Sequence, residues 1–128
     1  MIPNKLNKGD KVAIVATARA ISKQELSQAV DLLESWGLNV ILGSNLFKIE
    51  NQFAGNDEER AHDLQEMIDN KEVNAIFCAR GGYGTARIVD KIDFSNLKNS
   101  PKWIVGYSDV TSLHTHLNNL QFSTLHAT

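Results

Sequence analysis

The sequence predicts an α/β fold: a parallel sheet of about four or five strands flanked by helices, of flavodoxin-like type. Residues 11–16 form a compact apolar run without polar alternation, which is typical of a strand covered on both faces. Similar short runs recur along the chain, and longer segments with helical apolar spacing separate them. Strands separated by helices pair in parallel through right-handed crossovers.

The first helix is predicted by a capping box that follows the first strand. Ser22 stands three residues before Glu25, the spacing at which each side chain bonds the other residue's backbone N–H. Four apolar residues then recur at helical spacing, namely Leu26, Val30, Leu33 and Trp36. Gly37 marks the end of this helix, and residues 39–42 are the predicted second strand.

A second capping box, Asn56 with Glu59, predicts a helix that runs to about residue 70. Its inward-facing residues are expected to be Leu64, Met67 and Ile68. The remaining predicted elements are a strand at 75–78, a short helix at 85–90, one turn at 94–97, a strand at 103–105, a helix from 108 to about 118 and a strand at 122–125. Because no linker or repeat interrupts this alternation, we expect one domain over residues 1–128.

The composition is typical of a globular domain. Hydrophobic residues make up 42% and charged residues 22% of the chain, and the formal net charge is -2. No basic patch predicts a nucleic-acid or membrane partner. The apolar run at 12–16 is too short for a signal peptide or a membrane span, and there is one cysteine, so we expect a cytoplasmic protein. We expect three residues in the core: Cys78, Trp36 and Trp103.

Chemistry is expected at the carboxyl ends of the strands, where parallel sheets of this type bind ligands. Three predicted turns leave those ends, at residues 17–20, 80–84 and 106–109. Their residue types therefore carry the functional interpretation.

Ser108 lies in the third of these turns, between a predicted strand and a predicted helix. A sharp turn at such a junction lifts a hydroxyl clear of the sheet and places backbone N–H groups beside it. The positive end of the helix favours a developing oxyanion, and the N–H of Asp109 is a candidate donor. The alternative is that Ser108 or Asp109 only caps the helix. Val110 stands where the Gly-x-Ser-x-Gly motif has its second glycine.

Three glycines follow the third strand in the sequence Arg80-Gly81-Gly82-Tyr83-Gly84. Glycines permit positive φ and let backbone N–H groups converge on an anion. The turn is compatible with an oxyanion hole, with phosphate or nucleotide binding by a flavodoxin-like module, or with a tight turn that binds nothing. It matches neither a P-loop nor a dinucleotide motif, and no acidic residue follows at the ~20-residue spacing of a ribose-binding carboxylate.

The four histidines predict neither a catalytic base nor a metal site. His114 and His116 follow Ser108 on the same predicted helix, so they point away from its hydroxyl or lie too far from it. His62 and His126 lie on other elements, and no motif links them to the turn. With one cysteine and no cluster of metal-ligating residues, no metal or other cofactor is predicted.

Four segments together resemble the serine L,D-carboxypeptidases, the peptidase family that includes murein tetrapeptide carboxypeptidases and microcin C immunity enzymes. They are residues 4–16, residues 53–64 (Phe-Ala-Gly-Asn-Asp-Glu-Glu-Arg-Ala, then Asp-Leu), the glycine turn at 80–84, and residues 106–111 (Gly-Tyr-Ser-Asp-Val-Thr). Their order and spacing agree with the family, and the resemblance covers essentially the whole chain. Four linked motifs are far more specific than any one of them.

The resemblance implies that Ser108 is the nucleophile. It also implies that the N–H of Asp109 forms an oxyanion hole with an N–H of the glycine turn, Gly82 first and Gly81 second. We expect three further side chains of these turns to contact the substrate: Arg80, Tyr83 and Tyr107.

The family hydrolyses the amide between an L-configured centre and a terminal D-amino acid. Typically it releases D-alanine from the tetrapeptide of murein fragments during cell-wall recycling, needs no metal and forms homodimers. A murein-derived peptide is therefore the expected substrate, although the same motifs also serve self-immunity against a peptide-nucleotide antibiotic.

The family's catalytic glutamate and histidine lie in a C-terminal domain, and no residue here matches them. The resemblance thus implies that residues 1–128 are the nucleophile-bearing N-terminal domain and are inactive alone. A stand-alone, catalytically inactive regulator is the other interpretation. Two segments depart from the family: Thr17-Ala18 stands where Pro-Ser is common, and His-Ala-Thr at 126–128 stands where His-Gly-Pro is frequent.

Overall fold

The computed structural model describes residues 1–127, so Thr128 of the second departure lies outside the described residues. The strands are β1 Lys11–Val15, β2 Asn39–Leu42, β3 Val73–Cys78, β4 Trp103–Gly106 and β5 Leu125–His126. The helices are α1 Lys23–Ser35, α2 Asp57–Asp69, α3 Thr85–Val89 and α4 Thr111–Asn119. Two 3₁₀ turns lie at Ser95–Lys98 and Ser108–Val110.

The five strands form one parallel sheet in the order β2-β1-β3-β4-β5. In the middle of the sheet Val12 of β1 pairs with Val40 of β2 and with Ala75 of β3. This order is that of flavodoxin-like folds, so the predicted fold class is confirmed. The strand order reverses between β1 and β3, and the carboxyl edge beside that switch point is where such sheets bind ligands.

Helices cover both faces of the sheet, as its continuous apolar strands require. Alternate residues of β1 enter opposite cores, Ala13 and Val15 on one face and Val12 and Ile14 on the other. The first core takes from α2 and α4 the residues Leu64, Met67, Ile68, Leu113 and Leu117. The second takes two residues from α1, Leu26 and Leu33. Each such side chain contributes about 1.5–3 kcal/mol when fully buried.

Local signals in the sequence set the starts of both long helices. At α1 the Ser22 hydroxyl accepts the Glu25 N–H at 3.1 Å, and the Glu25 carboxylate accepts the Ser22 N–H at 3.1 Å. Asn56 and Glu59 form the same reciprocal pair at α2. Both predicted capping boxes are therefore confirmed. Gly37 adopts φ +85° just after α1, a conformation that suits glycine.

Three details differ from the sequence-based predictions. Trp36 is 55% exposed instead of in the core, because it is the C-cap of α1 and the inward face of the helix ends at Leu33. Trp103 is only partly buried, and its indole N–H donates to the carbonyl of Asn4 at 2.9 Å. The last strand lies at Leu125–His126 and not at 122–125, because Phe122 packs into the core before the strand starts.

The helices of the described residues are not of the kind that spans a membrane. None of those between residues 1 and 127 combines the length and the apolar character that crossing a membrane requires.

Candidate active site

Three turns meet at the carboxyl edge of the sheet, as the sequence predicts. They follow β1 (residues 17–20), β3 (residues 80–84, the glycine turn) and β4 (residues 107–110, called the nucleophile turn after the predicted role of Ser108). The Arg19 N–H faces the Gly81 carbonyl at 3.5 Å, which joins the first turn to the second. A Cβ built on Gly81 would lie 3.3 Å from both the Ser108 Cβ and the Asp109 nitrogen, so the second turn packs directly on the third.

The predicted nucleophile, Ser108, is exposed and has an unusual backbone conformation. Its φ is +60°, in the left-handed region that non-glycine residues rarely adopt, and the residue is exposed. Within residues 1–127 its hydroxyl has no hydrogen-bond partner, so it does not cap a helix. A short 3₁₀ turn, Ser108–Val110, separates the serine from α4, where the sequence predicts a helix starting at 108.

Gly106 is required by the tight fold of the nucleophile turn. A Cβ at this position would lie 2.8 Å from a methyl group of Val110. Val110 is 1% exposed and thus fills the space above the end of β4. The valine that stands in place of the second glycine of Gly-x-Ser-x-Gly is therefore a packing residue of this turn.

Asp109 connects the nucleophile turn to the glycine turn. Its carboxylate accepts the N–H of Thr85 at 2.9 Å, the first residue of α3. A carboxylate at a helix N-terminus is favoured by the free N–H groups and the helix dipole. The Asp109 N–H donates no hydrogen bond within the described residues, nor do the N–H groups of Gly81 and Gly82. These three N–H groups therefore have no acceptor within residues 1–127, as the predicted oxyanion donors require.

Gly82 lies against the side chain of Arg19. Its φ is +105°, in the region that favours glycine, and a Cβ there would collide with the Arg19 side chain unless that side chain moved. The Gly81 carbonyl faces the Arg19 N–H, and the peptide bond between the two glycines is trans. Because C=O and N–H point in opposite directions across a trans peptide, the Gly82 N–H points away from the Arg19 backbone. That direction is compatible with its predicted role as a donor.

A cleft of about 260 Å³ lies in front of the Ser108 hydroxyl. Its walls are Arg19, Arg80, Gly81, Gly82, Tyr107 and Ser108. Of the predicted substrate contacts, Arg80 and Tyr107 line this cleft. Tyr83 lies to the side, with its ring 6.1 Å from that of Phe53. Arg80 is already engaged, since it donates to the Ala20 carbonyl at 3.3 Å and lies 3.4 Å from the Glu25 carboxylate.

A buried arginine, Arg60, supports the turns after β1 and β3 from behind, and it is not among the predicted site residues. Its guanidinium donates to the carbonyls of Thr17 at 3.1 Å, Gly55 at 2.9 Å and Gly84 at 3.4 Å. It also pairs with the Asp57 carboxylate at 2.6 Å, and the residue is 1% exposed. The sequence signal was slight: one cation in the otherwise acidic first turn of α2.

Two further contacts complete the support of the turns. The Thr17 and Thr85 hydroxyls are buried and hydrogen-bonded to each other at 2.9 Å, which joins the end of β1 to the start of α3. Cys78 ends β3 beside them and is partly buried against the core, not fully within it as the sequence predicts. Desolvation raises the pKa of its thiol to about 12, despite an opposing hydrogen bond from Thr17. A thiol held neutral in this way is a poor nucleophile.

The four histidines contact residues outside the cleft of Ser108. His114 is buried, and its Nε2 donates to the Gly106 carbonyl at 2.8 Å while its Nδ1 lies 2.7 Å from the Thr124 hydroxyl. The rings of His126 and His114 pack in a tilted arrangement with their centres 5.7 Å apart, and those of His116 and Phe94 do so at 5.2 Å. The fourth, His62, lies 3.3 Å from Glu66. No histidine lines the cleft, and residues 1–127 hold no group of three potential metal ligands.

Comparison with known proteins identifies relatives of this chain. Residues 12–127 match the family described as the LD-carboxypeptidase N-terminal domain. A probable murein peptide carboxypeptidase of Bacillus subtilis (strain 168) is 46% identical over 116 residues, covering 91% of this chain and 36% of that protein.

Solved structures agree with this match. Muramoyltetrapeptide carboxypeptidase from Oxalobacter formigenes has a TM-score of 0.80 at 32% identity, over 89% of this chain and 38% of that one. Microcin C7 self-immunity protein in complex with aspartyl sulfamoyl adenosine has a TM-score of 0.82 at 23% identity, over 88% of this chain and 35% of that one. At that identity the likeness shows the fold alone.

The chain spans somewhat more than a third of the length of the relatives that it matches. The matched segment runs from β1 to β5 and includes all three turns that form the cleft. The resemblance carried by the four sequence segments is therefore confirmed: the chain belongs to the family of LD-carboxypeptidase N-terminal domains.

Proposed function

We propose that this chain is the nucleophile-bearing N-terminal domain of a serine-type L,D-carboxypeptidase. The observation that carries the proposal is Ser108: an exposed serine with φ +60° at a strand-to-helix turn, in the family of LD-carboxypeptidase N-terminal domains. The proposed substrate is a murein tetrapeptide, from which the enzyme releases the terminal D-amino acid, typically D-alanine.

In the proposed reaction the Ser108 Oγ attacks the carbonyl carbon of the L,D-amide while a general base takes its proton. The carbonyl oxygen becomes an oxyanion, which the N–H of Asp109 and an N–H of Gly81 or Gly82 stabilise. The C–N bond then breaks, and the amine of the D-amino acid leaves with the proton. Water hydrolyses the remaining Ser108 ester and restores the hydroxyl.

The general base is proposed to come from a segment outside this chain. A serine hydroxyl is a weak nucleophile at neutral pH and needs a base within hydrogen-bond distance. All four histidines of the described residues have the partners given above, and none lines the cleft. We infer that a glutamate and a histidine of a C-terminal domain approach the exposed face of Ser108. A cytoplasmic homodimer is the assembly that the resemblance to the family favours.

The alternative function, phosphate or nucleotide binding by the glycine turn, is disfavoured by one contact. The first N–H of α3, at Thr85, already donates to the Asp109 carboxylate. That carboxylate would repel a phosphate at the same place. Calorimetric titration with ATP, NAD and FMN should therefore give no heat of binding, and saturable binding of any of them would favour the alternative.

The decisive experiment measures D-alanine release from murein tetrapeptide by the full-length enzyme and its Ser108→Ala variant. We expect turnover to fall at least about 10³-fold, because nucleophile and base act as a unit. Ser112→Ala is the matched control, since this nearby hydroxyl donates to the Asp109 carbonyl at 2.9 Å instead of facing the cleft. Near-normal kcat in Ser108→Ala would refute the proposal.

Residues 1–128 alone should release no D-alanine and should react only slowly with a fluorophosphonate probe. Adding the C-terminal segment in trans should increase both signals. Robust turnover by residues 1–128 alone would show that the base lies within this chain.

A further inference from the structure

Arg19 lies in the cleft of Ser108 without an opposing charge. It is exposed, and within residues 1–127 its guanidinium has no hydrogen-bond or ion-pair partner. The backbone around it is fixed, because its N–H faces the Gly81 carbonyl and it forms an isolated bridge with Phe53. Its side-chain stem rests on Gly82, at the place where any larger residue would collide with it.

The cleft is lined by two cations and no anion. Arg19 and Arg80 are its charged walls, and the other four lining residues are uncharged. Arg80 already pairs with Glu25 and donates to the Ala20 carbonyl. Arg19 therefore carries the unbalanced positive charge of the cleft, and a guanidinium in this position suits a carboxylate, which it can hold through two parallel hydrogen bonds.

We propose that Arg19 binds the terminal carboxylate of the substrate and thereby selects for cleavage of the last residue. This inference rests on the proposed function, because it assumes that Ser108 attacks the terminal amide bond. In a C-terminal residue the carboxylate carbon lies roughly 3–4 Å from the scissile carbonyl carbon, across the nitrogen and the α-carbon. Both groups must then occupy one cleft, and Arg19 and Ser108 line the same one.

The placement of Arg19 also links substrate binding to the candidate oxyanion hole. The side chain packs on Gly82, whose peptide N–H is a candidate donor to the oxyanion. A carboxylate bound by Arg19 would hold the arginine stem against Gly82. The same contact that recognises the chain end would therefore steady the turn that stabilises the transition state.

The test compares two substrates with the full-length enzyme: murein tetrapeptide with a free terminal carboxylate, and the same peptide with a C-terminal carboxamide. We expect wild-type kcat/KM to favour the free acid, and Arg19→Ala to reduce that preference about 10- to 100-fold, the range of a charge-assisted hydrogen bond. Arg19→Lys should restore part of the preference, because it keeps the charge. Arg87→Ala is the control, since Arg87 is half exposed and pairs with Asp57 away from the cleft.

The possible results separate the two proposals. If wild type cleaves neither peptide, the proposed function fails and this inference falls with it. If wild type cleaves the free-acid peptide and Arg19→Ala keeps the same ratio of kcat/KM between the acid and the amide, the proposed function is supported and the role of Arg19 is refuted. Equal losses on both peptides would assign Arg19 to support of the glycine turn, which also refutes carboxylate binding. If Arg80→Ala, and not Arg19→Ala, reduces the preference for the free acid, Arg80 and not Arg19 binds the carboxylate.

Discussion

Replacing Arg60 with methionine tests whether the turns after β1 and β3 depend on one buried side chain. Methionine keeps an unbranched apolar stem but removes every donor that now serves Thr17, Gly55 and Gly84. It also leaves the partly buried Asp57 carboxylate without its closest cation. Breaking a buried charge pair costs about 3–5 kcal/mol, and each buried carbonyl left unpaired adds to that cost.

We therefore expect Arg60→Met to lower the free energy of unfolding by about 3–5 kcal/mol, a large part of the roughly 5–15 kcal/mol of a typical domain. With a urea m-value of about 1–3 kcal/mol/M, the midpoint of unfolding should fall by roughly 1 M or more. Urea titration followed by circular dichroism and by tryptophan fluorescence measures the change. Coincident transitions from the two probes would justify the two-state treatment.

Arg87→Met is the matched control for this measurement. Like Arg60, Arg87 pairs with Asp57, at 3.1 Å. The guanidinium groups of both arginines lie over the Phe53 ring, that of Arg60 at 4.8 Å and that of Arg87 at 5.2 Å from its centre. The Arg87 side chain is 46% exposed, however, so its ion pair is screened by water and contributes about 0–1 kcal/mol. If the two variants lose the same stability, or if Arg60→Met loses less than about 1 kcal/mol, the supporting role assigned to Arg60 is wrong.

Two predictions concern ionisation. Burial of Asp57 favours its neutral form, but hydrogen bonds from Arg60 and Arg87 outweigh this and lower its pKa below the usual 3.8. The stabilisation of the fold by ionised Asp57 is therefore complete above pH 3.8 and is lost as pH falls through the lower pKa of the folded state. Because Arg60 donates one of these hydrogen bonds, Arg60→Met should raise the pKa of Asp57 measured by NMR titration. An unchanged pKa would contradict this origin of the shift. Because the pKa of Cys78 is raised to about 12, a thiol reagent at pH 8 should label Cys78 slowly in the folded chain and rapidly in urea. Equal labelling rates in the two states would contradict the raised pKa of the folded state.

The elements with local signals were predictable from sequence. Both capping boxes act within four residues, so Ser22 and Asn56 mark the starts of α1 and α2 without tertiary information. The parallel sheet follows from the alternation of apolar runs and helices, and the sheet in turn places the three turns at one edge. The positions of the predicted strands alone therefore predict that Ser108 and the glycine turn lie close together.

The supporting contacts were not predictable, because they join segments far apart in the chain. Arg60 has the sequence context of a solvent-exposed residue, in the first turn of a helix beside three acids. It is buried only because the turns after β1 and β3 close over it, with acceptors at Thr17 and Gly84. The exposure of Trp36 has a similar origin, since helical spacing predicts a face of the helix but not where the sheet beneath it ends.

The proposed site combines groups that are held in place within this chain with a general base that is proposed to come from a C-terminal domain. Ser108, the Asp109 amide and the glycine turn are held by contacts within this chain, among them the bond from Thr85 to the Asp109 carboxylate. A positive φ at Ser108 costs about 1–3 kcal/mol, and such strain persists only where the surroundings fix the conformation. Here Val110 above Gly106 and Gly81 against Ser108 supply that restraint. In the proposed enzyme, the nucleophile and the oxyanion donors are therefore arranged before a base arrives, and the proposed C-terminal domain supplies the glutamate and histidine at the exposed side of the Ser108 hydroxyl.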